Sequence, residues 1–275
     1  MSLKRFYSTV PLSFTKYNAP KDMGKHPLVI CHGLFGSKQN WRSLAKHLCQ
    51  SCQRDVYTLD ARNHGQSPHV HEHNYHAMSQ DVIQFVKQQG IHHPILMGHS
   101  MGGKVMMHVA LDQPELPSKI VIVDIAPVHL PLTREYHDHI RIMRDIQSRR
   151  LTKQKEADKI LQTVEPDLVV RQFLLTNLKK NKEDGVYQFR NPLSILENAL
   201  SRLGEFRQTG TYEGPTLFIT GDKSPFRKPF IRQPELAKRY FPNAEIVNVK
   251  GAGHWVQAEK PQEFLSIATE FINKE

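Results

Sequence analysis

The chain has 275 residues, 37 Lys and Arg against 27 Asp and Glu for a formal charge of +10, and 39% apolar residues. That apolar share is enough for a buried core and excludes a disordered, collagenous or coiled-coil chain, and the length suits one α/β domain. No run approaches 18 consecutive apolar residues, which excludes a membrane-spanning helix, and three cysteines cannot build a disulfide framework, which points to a reducing compartment.

The first residues, MSLKRFYSTV, carry Lys4, Arg5 and hydroxyls, and no acid precedes Asp22. This is the composition of a mitochondrial targeting segment over about residues 1–10, and Arg5-Phe6-Tyr7-Ser8 resembles a matrix-protease cleavage site. The alternatives are a plain basic terminus and a cytoplasmic protein. From Leu28 onward, short apolar runs alternate with amphipathic segments. Leu28 to Cys31, Val56 to Leu59, Ile95 to Met97 and Ile120 to Val123 read as strands buried on both faces. Between them, Trp41 to Leu48, Met78 to Val86 and Lys104 to Leu111 read as helices. The alternation predicts a mostly parallel central sheet flanked by helices, an α/β fold. The rhythm stops over about residues 128–213, where His137, Ile140, Met143 and Ile146 fall at helical spacing and no buried strand is evident. That stretch is expected to be a helical cap inserted into one domain. Strands return at Thr216 to Ile219 and Glu245 to Val249, and Phe264 to Ile272 closes the chain as a helix.

The sharpest local signal is Gly98-His99-Ser100-Met101-Gly102, directly after an apolar run and before a helix. In that setting G-x-S-x-G forms a strained turn that lifts a nucleophilic serine above the sheet. The following helix N-terminus favours negative charge and offers the Met101 N–H to a developing oxyanion. His32-Gly33-Leu34-Phe35-Gly36 follows the first buried run, which makes the Leu34 N–H the expected second donor. The base is expected late in the chain, and Gly251-Ala252-Gly253-His254-Trp255 offers His254.

With these residues in place, the chain resembles the α/β-hydrolase superfamily from about Leu12 onward. Asp60-Ala61-Arg62-Asn63-His64-Gly65-Gln66-Ser67 resembles that superfamily's D-x-R-G-H-G-x-S loop. HGLFGS, DARNHGQSPH, GHSMGG and VDIAPV together are similar to a subfamily of bacterial short-chain esterases, a mitochondrial hydrolase of animals and fungi, and yeast ethanol acetyltransferases. Most of the superfamily places its acid three residues beyond the glycine that here is Gly221, a position held by Ser224. The resembled subfamily uses an Asp 24 residues after its nucleophile, which is Asp124 here. Asp124 is therefore the expected acid and Asp222 the alternative, with Ser224 a hydrogen-bond partner of Asp124 or His254.

The resemblance implies a serine hydrolase that cleaves short- to medium-chain esters, thioesters or acyl-CoA through a Ser100 acyl-enzyme, with no metal or organic cofactor. Two other readings stay open: acyl transfer from acetyl-CoA to an alcohol, and a hydrolase-fold protein that serves as a binding or protective partner. Cys49 and Cys52 form a lone C-x-x-C, too little for a metal or redox site. His69, His71, His73 and His76 read as an exposed polar loop. The basic clusters Arg149, Arg150, Lys153, Lys155 and Lys179, Lys180, Lys182 read as solvated helix faces. No nucleic-acid motif accompanies them, and oligomeric state is not encoded.

Overall fold

Runs that are apolar on every residue are driven to the middle of a sheet, and amphipathic segments are driven onto its faces. The computed structural model describes residues 8–21, 23–233 and 235–274 and shows that outcome. In chain order, β1 (Phe14–Tyr17) and β2 (Leu28–Cys31) lead to α1 (Arg42–Cys52). Then come β3 (Val56–Leu59), α2 (Tyr75–Gln88), β4 (Ile95–His99), α3 (Met101–Asp112) and β5 (Lys119–Val123). The stretch that follows carries α4 (Arg134–Ser148), α5 (Gln154–Leu161), α6 (Leu168–Leu175), the hairpin β6 (Leu178–Lys180) and β7 (Tyr187–Phe189), and α7 (Leu193–Leu203). The chain then returns to the sheet through β8 (Thr216–Gly221), α8 (Lys228–Arg232), α9 (Glu235–Tyr240), β9 (Ala244–Val249), α10 (Val256–Glu259) and α11 (Pro261–Asn273).

The seven-stranded sheet runs β1-β3-β2-β4-β5-β8-β9, with β1 antiparallel to β3 and every other pairing parallel. Side chains alternate across it. Leu28, Ile30, Ile95, Met97, Val121 and Val123 pack with α1 and α11 in one core, while Val29, Cys31, Leu96, Ile120 and Ile122 pack with α2 and α3 in the other. Parallel pairing brings the C-terminal ends of β2, β4, β5 and β8 to one edge. Ligands bind at that edge in open α/β sheets, and His32, Ser100, Asp124 and Asp222 each follow one of these strands.

Two elements depart from the sequence reading. The stretch over residues 128–213 contains the β6–β7 hairpin as well as helices, so Lys179 and Lys180 are exposed on a strand, not on a helix. Each hairpin strand buries a single end residue, Leu178 or Phe189, which leaves no apolar run to read. The edge strand β1 follows the expected leader and is not among the strands read from the sequence. Residues 1–7 of the expected targeting segment lie outside the described residues. Ser8 and Val10 are tied to the body: Arg62 Nη2 donates to the Ser8 carbonyl at 3.0 Å, and the Val10 N–H donates to Asp81 Oδ1 at 2.8 Å. Among the described residues no helix is long and apolar enough to cross a membrane.

Candidate active site

β4 ends at His99 and α3 begins at Met101, so Ser100 alone makes the turn between them. Its φ of 52° and ψ of −116° lie where a residue with a Cβ is strained, at a cost of order 1–3 kcal/mol. Packing holds it there. The Ser100 N–H donates to the Val123 carbonyl at 2.9 Å, and the Ser100 carbonyl accepts the Lys104 N–H at 3.0 Å. The flanking glycines are required by close backbone approach: a Cβ on Gly98 would sit 2.3 Å from the Gly102 carbonyl oxygen, and one on Gly102 would sit 2.5 Å from the carbonyl oxygens of Cys31 and His32.

The turn delivers the hydroxyl to the imidazole of His254, with Ser100 Oγ 3.0 Å from Nε2. On the other side of the ring, Nδ1 lies 2.7 Å from Asp124 Oδ2. Asp124 is fully buried, yet its carboxylate is well supplied with donors: Oδ1 accepts the Gly221 N–H at 2.9 Å, and Oδ2 also accepts the Ser224 hydroxyl. Ser224 is held in turn, since its Oγ accepts the Phe226 N–H at 3.1 Å. Phe226 packs its ring 4.3 Å from that of His254. Because Asp124 can only accept, the proton of a neutral His254 sits on Nδ1. Nε2 is then free to take the proton of Ser100.

The structure thus joins Ser100, His254, Asp124 and Ser224, and it leaves Asp222 out. The Asp222 carboxylate accepts the Gly251 N–H at 2.7 Å. It pins the loop that carries His254 and does not reach the ring, so the alternative assignment of Asp222 as the acid is not supported by the geometry.

Met101 is the first residue of α3, so its N–H has no acceptor within the helix. Leu34, the other expected donor, sits in a loop braced by two buried histidines. Backbone N–H groups can only donate, which fixes both tautomers. His32 Nε2 accepts the Ala61 N–H at 3.1 Å while Nδ1–H donates to the Gly33 carbonyl at 2.8 Å. His64 Nε2 accepts the Phe35 N–H at 3.2 Å while Nδ1–H donates to the Arg62 carbonyl at 3.0 Å. Burial lowers the pKa of His32 and holds that of His64 well below the usual imidazole range, so both stay neutral. His99 is likewise pushed down, by burial and then by the neighbouring His254, and its Nε2–H donates to the His254 carbonyl at 2.9 Å.

The loop resembling D-x-R-G-H-G-x-S is scaffold. Asp60 pairs with the buried Lys38 ammonium and accepts the Lys38 and Gln66 N–H groups at 2.7 and 2.9 Å. Arg62 clasps Asp81 through Nε and Nη2 at 2.6 and 2.8 Å. Asn63, where the superfamily has glycine, has a φ of 63°, a conformation Asn tolerates.

A contact from the β6–β7 region was not legible in the sequence. Asn177, fully buried, donates from Nδ2 to the carbonyl of Phe35 and so ties the inserted segment to the Leu34 loop. No motif marks it. The histidine cluster also differs from expectation. His69, His71 and His76 are exposed, but His73 is only 4% exposed and lies 5.5 Å from the His64 ring. Among the described residues no group of His, Cys, Asp and Glu is arranged to hold a metal ion, and Cys49 and Cys52 are buried free thiols.

Above Ser100, α4 and α6 border a cavity of about 240 Å³ with Ser100 and His254 on one side, in which apolar Leu34, Phe35, Val170, Phe173 and Leu174 alternate with polar Glu135, His139, Glu165 and Asp167. A strained serine, an oriented imidazole, a buried carboxylate and the first N–H of a helix beneath a cavity can carry acyl transfer. The sequence profile of the alpha/beta hydrolase fold family matches residues 26–261. The chain belongs to that family. It is 40% identical to the sn-1-specific diacylglycerol lipase ABHD11 of Mus musculus, over 96% of this chain and 85% of the relative. It is 36% identical to a probable alcohol acetyltransferase of Saccharomyces cerevisiae, over 90% of this chain and 77% of the relative. Among solved structures, a marine microorganism esterase superposes with a TM-score of 0.88 at 32% identity, covering 96% of this chain and 100% of the other.

Proposed function

We propose that this α/β-hydrolase is a serine ester hydrolase, and that Ser100, His254 and Asp124 are its nucleophile, base and orienting acid. The carrying observation is the continuous hydrogen-bonded chain from Ser100 Oγ to His254 Nε2 and from His254 Nδ1 to Asp124. As Oγ attacks the ester carbonyl, Nε2 takes its proton and Asp124 stabilises the resulting imidazolium without itself being protonated. The Leu34 and Met101 N–H groups receive the oxyanion. Each such donor contributes about 2.7–4 kcal/mol to the transition state in a comparable site. His254 then gives its proton to the leaving alcohol, and a water deprotonated by the same Nε2 releases the acid from Ser100. Each step uses only groups of the chain and water. The lipase and esterase relatives support the reaction class, and the apolar part of the lining, Leu34, Phe35, Val170, Phe173 and Leu174, supports short- to medium-chain acyl groups. A p-nitrophenyl ester series of rising chain length tests that range.

Ser100→Ala tests the nucleophile. In a comparable triad, loss of the serine costs about 10⁶ in turnover, so hydrolysis of p-nitrophenyl butyrate should fall to background. Retained turnover refutes the assignment. A binding or protective protein without turnover predicts instead that a fluorophosphonate leaves Ser100 unlabelled.

The alcohol acetyltransferase relative favours a second outcome for the same acyl-enzyme, capture by an alcohol in place of water. Acetyl-CoA with ethanol, assayed for ethyl acetate against free acetate, separates the two. The proposal includes a mitochondrial address in residues 1–10, supported by Lys4, Arg5, the hydroxyl residues and the absence of acids there. Imaging of the full chain against one lacking residues 1–7 checks it.

A further inference from the structure

His254 sits in the segment Gly251-Ala252-Gly253-His254-Trp255 between β9 and α10, and its ring must meet Ser100 Oγ and Asp124 Oδ2 together, at 3.0 and 2.7 Å. A segment with two glycines has little stiffness of its own. α10, which follows it, is four residues long, too short to hold a shape alone. The backbone of His254 therefore has to be fixed by side chains from outside the segment.

Glu259, the last residue of α10, reaches back to both sides of it. Its Oε2 accepts the Gly253 N–H at 2.7 Å and its Oε1 accepts the Trp255 N–H at 3.1 Å, so one carboxylate straddles His254. Between these two points the His254 carbonyl accepts Nε2–H of His99 at 2.9 Å. Gly253 leaves the carboxylate its room, since a Cβ there would lie 3.0 Å from Oε1 and 3.2 Å from Oε2. No other task is visible for this side chain. Glu259 is exposed, forms no ion pair among the described residues, and borders neither the cavity above Ser100 nor a second cavity beside it.

Resting on the serine-hydrolase reading, we propose that Glu259 is a positioning residue: by holding the N–H groups on either side of His254, its carboxylate keeps the imidazole in line between Asp124 and Ser100. It touches neither the substrate nor the reacting atoms and acts only through His254. A carboxylate suits the task because two N–H groups need two acceptors, and its two oxygens lie in one rigid plane. A misplacement of about 1 Å in a catalytic group costs about 10²-fold in rate. The loss therefore falls on turnover and leaves substrate binding alone.

Glu259→Ala removes both acceptors at an exposed position, where substitutions usually change stability little. The assay is hydrolysis of p-nitrophenyl butyrate, with active enzyme counted by fluorophosphonate titration of Ser100 so that misfolded molecules drop out. In Glu259→Ala, kcat per titrated site should fall about 10- to 100-fold while KM stays within about twofold. Glu259→Gln, which keeps one acceptor, should lose less. Glu263→Ala, at an exposed glutamate in the first turn of α11, should match the wild type. Should Glu259→Ala fail to fold, Gly253→Ala stands in, because its methyl crowds both carboxylate oxygens, and kcat should again fall with KM unmoved. A kcat within about twofold of the wild type, or a loss carried by KM, overturns the proposal. A wild type that neither takes the fluorophosphonate nor turns over the ester sinks the serine-hydrolase reading, whereas equal turnover in wild type and Glu259→Ala sinks only the role of Glu259.

Discussion

Asp124→Asn removes a charge without changing the outline of the side chain, so the response isolates what the carboxylate does for His254. Oδ1 faces the Gly221 N–H at 2.9 Å, and a backbone N–H can only donate, so the amide oxygen must stay there. The amide nitrogen then takes the place of Oδ2, 2.7 Å from His254 Nδ1, and donates to it. Nδ1 becomes an acceptor and the ring proton moves to Nε2, facing Ser100 Oγ at 3.0 Å. An imidazole in that tautomer cannot take the serine proton. The same replacement in a serine-protease triad lowers kcat by about 10⁴, or about 5 kcal/mol of barrier. Asp222→Asn keeps the oxygen that holds the Gly251 N–H, and its effect should stay below about tenfold, the scale of one hydrogen bond. Steady-state hydrolysis of p-nitrophenyl butyrate, with thermal midpoints as a folding control, measures both. The reasoning fails if Asp124→Asn keeps a tenth or more of wild-type turnover, or if Asp222→Asn falls as far.

Asn177→Leu leaves the Phe35 carbonyl without its donor and loosens the Leu34 loop, so kcat should fall about 10-fold, with KM changing less, and an equal loss in both would point to general misfolding. Adding Ser224→Asp to Asp124→Asn places a carboxylate beside the same point and should recover part of the lost turnover in the same assay, and no recovery would refute spatial equivalence of the two positions. The buried imidazole of His73 is pushed down to about 3 from an ordinary 6.5, because burial disfavours its charge. The unfolded chain therefore binds more protons below pH 6.5, and stability present above that pH is lost as the pH falls toward the folded value. Urea midpoints should drop between pH 6.5 and 5 less steeply in His73→Phe than in the wild type, and identical slopes would remove His73 from the account.

The sequence was most legible where burial is complete on both faces. β2, β3 and β5 are apolar almost throughout, the pattern of strands buried on both faces, and their shortness and β-branched residues favour strand over helix. β1 escaped because Phe14-Thr15-Lys16-Tyr17 is half-exposed at an edge, where Lys16 can pair with Asp55 in solvent. The glycines around Ser100 were legible because contacts of 2.3–2.5 Å to a would-be Cβ permit no other residue. Asn177 was not, since one amide among many has no pattern until the chain folds and shows which carbonyl it holds. His73 failed for a related reason. Four histidines in a polar stretch average to an exposed loop, yet one of them turns inward beneath His64.

The position of the acid shows why chain order under-determines such a site. β5 and β8 are parallel neighbours in register, Val123 beside Ile219, so the residues just beyond them emerge at one edge. The His254 loop presses on that edge closely enough that a Cβ on Gly221 would lie 2.2 Å from the Gly253 carbonyl oxygen. What the imidazole requires is a carboxylate oxygen at one point in space, and a side chain from either strand end can supply it. Supplying it from β5 has a local cost, because Asp124 takes a φ of 51°, a conformation that short polar side chains bear better than most. It also leaves the position beyond β8 free for a donor. Ser224 occupies it and donates to the same Oδ2 that receives His254 Nδ1–H, while Gly221 satisfies Oδ1. A fully buried carboxylate with three donors is held in one orientation, and that orientation selects the tautomer of His254.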